Sequence, residues 1–92
     1  MSRYNVEIKE QAQYDLKMLS KNGSKVYQKA LALIAELYDH PRTGTGKPEQ
    51  LKGGGGTLWS RRITKKHRLI YEIFETEVHV DVLSTYGHYD DK

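Results

Sequence analysis

Apolar and polar positions alternate near the start of the chain, with Tyr4, Val6 and Ile8 set against Asn5, Glu7 and Lys9. This two-residue period predicts a half-buried strand over Arg3–Lys9. From Glu10 the period lengthens: Ala12, Leu16 and Leu19 recur at helical spacing among Gln, Asp and Lys, and Asn22-Gly23 supplies a stop, so a short amphipathic helix follows. Ser24 then suggests a hydroxyl cap for a second helix. Val26, Ala30, Leu33 and Leu37 line its face, widened by Tyr27, Leu31, Ile34 and Tyr38. Pro41 disfavours helical backbone at the preceding residue, which ends this helix near His40. Two helices joined by a short turn read as an αα-hairpin.

Pro41 to Gly56 has no period and is dense in Gly, Thr, Pro and Lys, the signature of a long surface loop. Gly53–Gly56 reads as a flexible connector and matches neither the Walker pattern nor the dinucleotide glycine fingerprint. Strand patterning returns with Trp59, Arg61 and Ile63 alternating against Ser60, Arg62 and Thr64, and a turn around Lys65-Lys66-His67 reverses the chain. Centred on Lys66, that turn pairs Ile63 with Leu69, Arg61 with Tyr71 and Trp59 with Ile73 on a core face. Arg62, Thr64, Arg68, Ile70 and Glu72 fall on the other, mostly exposed face. After a turn at Glu75-Thr76-Glu77, Val78, Val80 and Val82 alternate with His79, Asp81 and Leu83. The expected architecture is α+β: a strand, two helices and a three-stranded antiparallel meander, with both helices packed on one face of the sheet and the other face free to bind.

With 92 residues the chain has room for one domain, taken as 1–92, with one thin core. Its 37% hydrophobic and 29% charged residues suit a folded globule. There is no cysteine, which excludes disulfides and thiolate metal sites. No apolar run has the length of a membrane span, and Met-Ser-Arg-Tyr-Asn-Val-Glu-Ile lacks a signal-peptide core, so the expectation is a cytoplasmic protein with no membrane partner.

Charge changes the picture most. Between Pro41 and Tyr71 stand eight basic residues (Arg42, Lys47, Lys52, Arg61, Arg62, Lys65, Lys66 and Arg68) and one acid, Glu49; the remaining positions carry seven bases and eleven acids. A regional excess of this kind marks a surface that meets a polyanion. One carboxylate in that segment is too few for a two-metal nuclease site, so no metal and no cofactor are expected. RNA permits cleavage without a metal, because its 2′-hydroxyl can attack the adjacent phosphorus. The protein then needs a base, an acid and cations for the phosphorane. Glu49 admits two readings, the base or a loop carboxylate paired with a lysine. His88, after Gly87, is either a proton donor or an inert terminal histidine. Arg68 is the candidate clamp. His40, His67 and His79 are given structural or solvent roles, none being spaced for metal binding with a second histidine. Tyr89 and Trp59 are candidates for stacking on bases, Trp59 with the stronger case for the core.

The blocks Gly46-Lys47-Pro48-Glu49 with Leu51-Lys52, Trp59-Ser60-Arg61-Arg62-Ile63-Thr64, His67-Arg68-Leu69-Ile70-Tyr71 and His88-Tyr89, in this order and spacing, resemble the YoeB (Txe/YoeB) branch of the RelE/ParE toxin superfamily. The resemblance covers essentially the whole chain and implies a RelE-like fold. It also implies a toxin of a type II toxin–antitoxin system that acts as a ribosome-dependent mRNA endoribonuclease. By resemblance Glu49 is the general base, Arg68 stabilises the phosphorane and His88 is the general acid. Tyr89 helps to orient the nucleotide, and Lys52, Arg61 and Arg62 supply phosphate contacts; Lys47, Lys65 and Lys66 of the basic segment are further candidate RNA contacts. The implied partners are a cognate antitoxin, the ribosome with its mRNA, operator DNA through the antitoxin complex alone, and a second copy as a homodimer. Gln50, where the family often has proline, and the Asp90-Asp91-Lys92 tail are departures. Two rival readings share the fold: a ParE-like inhibitor of DNA gyrase that cuts no RNA, and a module that binds antitoxin in an operator-repressing complex.

Overall fold

The computed structural model describes residues 3–86. Its elements are β1 (Asn5–Ile8), α1 (Glu10–Asn22), α2 (Ser24–Leu37), β2 (Glu49–Gln50), β3 (Leu58–Arg62), β4 (Arg68–Phe74) and β5 (His79–Ser84). The strands form one five-stranded sheet in the order β1-β5-β4-β3-β2. The meander is present and antiparallel. The sheet as a whole is mixed, because β1 crosses over through the helices and lies parallel to β5, with Val6 beside Val80 and Ile8 beside Val82.

Both helices cover one face of this sheet. Ala12, Leu16 and Leu19 of α1 and Ala30, Leu33, Ile34 and Leu37 of α2 meet Ile63, Leu69, Tyr71, Ile73, Val80 and Val82 in a single buried cluster. Each large aliphatic side chain there contributes about 1.5–3 kcal/mol through burial, which makes the helical layer the main support of the sheet. Where α1 meets α2 the expected cap is displaced: Gly23 occupies the cap position with φ +149°, Ser24 is the first helical residue, and no side chain caps the helix. A glycine adopts that backbone without steric cost, so the turn does not need the hydroxyl.

Two details of the loop and hairpin differ from the sequence expectation. Arg61 pairs with Leu69 and Trp59 with Tyr71, so the hairpin is centred on Lys65 rather than Lys66. The Thr64 hydroxyl accepts from the amides of Lys66 and His67 and closes a tight turn. The slip is by two residues along one strand, so every side chain keeps its predicted face. The second difference lies in Gly53–Gly56, expected as a slack connector. It is an ordered turn that joins β2 to β3, with the Thr57 amide bonded to the Gly54 carbonyl and the Gln50 side chain bonded to the Gly56 carbonyl. A Cβ on Gly54 would lie 2.4 Å from the Leu58 Cβ, so the turn is also closely packed.

Candidate functional site

The path of the chain into the site is set by a side chain that the sequence places among the RNA contacts. Arg61 is fully buried, which excludes it from touching a phosphate. Its guanidinium instead satisfies all five of its N–H donors. Nε donates to the Tyr71 hydroxyl at 3.1 Å, Nη1 to Glu36 at 2.6 Å and to the Thr45 carbonyl at 3.2 Å, and Nη2 to the carbonyls of His40 and Thr43. Tyr71 in turn donates to the Pro41 carbonyl at 2.7 Å. The charge segment therefore contains one arginine that holds the chain leaving α2 and a second, Arg42, that is paired with Glu75.

The same network sets the ionisation of its partners. Burial alone would push the Glu36 carboxyl up, but hydrogen bonds from Thr45 and Arg61 and the guanidinium charge hold it below the ordinary carboxylate value. Burial pushes the Tyr71 phenol up, against the opposing pull of Arg61. Tyr71 is thus a neutral donor at physiological pH. Neither role has a signal in the sequence, where Glu36 is one more polar helix position and Tyr71 one more strand aromatic.

Beyond Thr45 the chain is laid along β3. The Arg62 amide donates to the Gly46 carbonyl at 2.6 Å. Gly46 has φ +86°, and a Cβ there would meet the Arg62 carbonyl oxygen at 2.9 Å, so glycine is required for the approach. Lys47 follows with φ +53°, an uncommon conformation for a side-chain-bearing residue. Glu49 then pairs with Ser60 and Gln50 with Trp59, and Leu51, buried, bonds its amide to the Leu58 carbonyl. Glu49, expected on a mobile loop, is held on the edge strand β2.

Register then decides which side chains share the open face. Glu49 lies opposite Ser60, two residues before Arg62, and Arg62 lies directly opposite Arg68. Diagonal neighbours of the Glu49–Arg62 kind are about 7–8 Å apart. Among the described residues no side-chain hydrogen bond or ion pair engages Glu49, Arg62 or Arg68. Two unpaired guanidinium groups facing each other oppose folding by about 0.2–1 kcal/mol. Lys47, Lys52, Lys65 and Lys66 are exposed on the surrounding turns. Not all of the face is open: Ile70, expected to be exposed, is buried there together with Ser60 and Leu51.

The end of β5 is tied toward this surface. Asp15, buried in α1, accepts from the Thr85 amide at 3.1 Å and from the Gln11 side chain at 2.9 Å. The next residue, Tyr86, stacks on His67 with ring centroids 4.6 Å apart, one residue before Arg68. His67, assigned a turn role from sequence, is buried and serves this contact. His88 and Tyr89 lie outside the described residues. A signal for Asp15 was available: an acid on the same helical face as Ala12, Leu16 and Leu19 faces a core and needs partners.

Residues 8–89 match the model of the YoeB-like toxin family of bacterial type II toxin–antitoxin systems. Toxin YoeB of Streptomyces coelicolor is 43% identical over 53 residues, covering 58% of this chain and 63% of that relative; the chain thus spans less than two thirds of that relative's length. Among solved structures, a YoeB/ParE toxin from Agrobacterium tumefaciens superposes with a TM-score of 0.82 at 29% identity, over 92% of this chain and 99% of that one. YoeB from Staphylococcus aureus, solved as a dimer, gives 0.78 at 32% identity over 96% of this chain and all of that one. The same toxin in its heterotetrameric complex with YefM gives 0.75.

Proposed function

The chain belongs to the YoeB-like toxin family of bacterial type II toxin–antitoxin systems, and from that premise we propose that it is a ribosome-dependent mRNA endoribonuclease. Glu49 takes the proton from the 2′-hydroxyl, and the 2′-oxygen attacks the adjacent phosphorus in line. Arg68 stabilises the charge that collects on the phosphorane oxygens, and His88 protonates the departing 5′-oxygen. The products are a 2′,3′-cyclic phosphate or 3′-phosphate and a 5′-hydroxyl. The chemistry needs no metal, because the nucleophile belongs to the RNA and the cationic segment holds a single carboxylate.

One observation carries this reading: Glu49, Arg62 and Arg68 share the open face, fixed by strand register, and no side chain among the described residues neutralises them. Opposed cations left unpaired at a cost to stability suit an anionic ligand that arrives from outside. Lys47, Lys52, Arg62, Lys65 and Lys66 contact the RNA backbone, and Tyr89 stacks on a base. The same cationic surface suits an acidic segment of a cognate antitoxin, and the YefM complex of the S. aureus relative supports such a partner. Operator DNA is reached through that complex, and the S. aureus dimer supports self-association.

Mapping 5′ ends of a translated reporter message, with and without the protein, tests the proposal. Cleavage should vanish when the nucleotide at the cut site lacks its 2′-hydroxyl and should fall by orders of magnitude with Glu49→Gln, while DNA gyrase supercoiling is unaffected. Equal cutting of the 2′-deoxy message would overturn the mechanism.

A further inference from the structure

At the far edge of the sheet, register assembles a group of side chains that the nuclease reading leaves unused. Parallel pairing of β1 with β5 sets Glu7 beside Asp81 and Asn5 beside His79, and alternation puts Glu7, His79 and Asp81 on the same face. One ligand atom from each of the three lies within 4.8 Å of those from the other two. The His79 Nε2 is 2.7 Å from an Asp81 oxygen and 3.8 Å from Glu7 Oε1. His79, given a structural or solvent role from sequence, thus stands beside two carboxylates.

We infer that Glu7, His79 and Asp81 form a binding site for a divalent first-row transition ion of the Zn²⁺ class. An imidazole with two carboxylates is a donor set of borderline hardness, suited to such ions. Zinc bonds of 2.0–2.1 Å at a tetrahedral angle need donors about 3.3 Å apart, and the two measured separations lie on either side of that value. The third pair, Glu7 with Asp81, lies within 4.8 Å, and side-chain rotation brings the three donors onto one ion. Two carboxylates and a neutral imidazole balance the double charge, and water completes the coordination.

The second observation is how Glu7 divides its oxygens. Oε2 is held by the Lys9 ammonium at 3.0 Å, while Oε1 faces His79. The cluster already holds one cation at its margin and has an oxygen left for another. All three donors stand on paired strands, so few degrees of freedom are lost on binding, and Phe74 flanks the imidazole with ring centroids 6.1 Å apart. Glu49 lies on the opposite edge strand, four strand spacings or about 19 Å away. An ion here would join β1 to β5 and take no part in RNA cleavage.

Calorimetric titration of the full chain with Zn²⁺ alone, paired with thermal melts, tests the site. The expected result is one ion bound at this site and a rise in melting temperature. His79→Ala should weaken binding at least tenfold, Glu7→Gln should weaken it several-fold, and Lys9→Gln should tighten it. Glu7 is on the exposed side of an edge strand, so Glu7→Gln remains informative if His79→Ala misfolds. His40→Ala, a histidine outside the cluster, should leave the affinity unchanged. No saturable binding, or equal affinity in wild type, His79→Ala and Glu7→Gln, would overturn the assignment.

Discussion

Arg61→Met should be among the most damaging single changes in this chain, although it touches no substrate. The substitution retains much of the side-chain volume but removes five donors and a charge. It leaves the carbonyls of His40, Thr43 and Thr45 without this donor, removes the Glu36 counter-charge, and leaves Tyr71 with its bond to Pro41 alone. Removing one partner of a buried ion pair costs about 3–5 kcal/mol. Because the Glu36 side chain is 30% exposed and can regain water, the loss should sit near the lower bound, about 3 kcal/mol. Arg61→Lys keeps the charge with three donors in place of five and should cost about 2 kcal/mol. Urea unfolding gives these values as a shift of midpoint at constant slope. Hydrogen exchange gives the local consequence, since the Thr45 amide is held by Glu36 and the Arg62 amide by Gly46. Both should lose protection, and RNA cleavage should fall as the approach to Glu49 loosens. There is a pH signature as well. Glu36 has a lowered folded pKa, so its contribution is present above about pH 4.5 and is lost as the pH falls through the folded value. Acid sensitivity below that point should therefore be shallower in Arg61→Met. A destabilisation under about 1 kcal/mol with unchanged protection at Thr45 and Arg62 would refute the role given to Arg61.

Other perturbations separate folding from function. Arg62→Ala removes one of two opposed guanidinium groups, so urea unfolding should show a gain of a few tenths of a kcal/mol while RNA affinity drops and its salt dependence becomes less steep. Asp15→Ala strands the Thr85 amide and should cost about 1–3 kcal/mol, read by thermal melting, with a loss of cleavage that exceeds the loss of folded protein. Val78 carries φ +50° in the β4–β5 turn, a strained setting for a β-branched side chain. Val78→Gly should therefore stabilise by up to about 1 kcal/mol after glycine's own entropic cost, measured by urea titration.

The sequence is a good guide wherever periodicity reports on a single face. Ala12, Leu16 and Leu19 locate α1, and the alternation through Trp59, Arg61 and Ile63 assigns the faces of β3 despite a two-residue error in register, because side-chain direction has a period of two. It is a poor guide wherever a side chain answers to distant backbone. Arg61 looks like its neighbour Arg62 in sequence, yet one is buried against three carbonyls and the other is exposed. What separates them is strand parity combined with the path of residues 40–46, and that path has no local pattern. The glycine turn misleads for a related reason: four glycines in a row suggest slackness, while Gly54 sits tightly against Leu58. The His79 cluster needs the pairing of β1 with β5, a contact that no local pattern reveals.

That pairing also sets the order in which the molecule can be built. Asn5 and His79 are partners separated by most of the chain, and closing a loop of that size costs about 3.8 kcal/mol in chain entropy before any contact rewards it. The hairpins from β2 to β5 close through far shorter connections. Until β5 has been made, β1 has no neighbour, and the helices lack Val80 and Val82 to pack against. A ribosome making this chain therefore carries an unpaired first strand and a helical hairpin with an incomplete core for most of synthesis, and the assembled surface arises late.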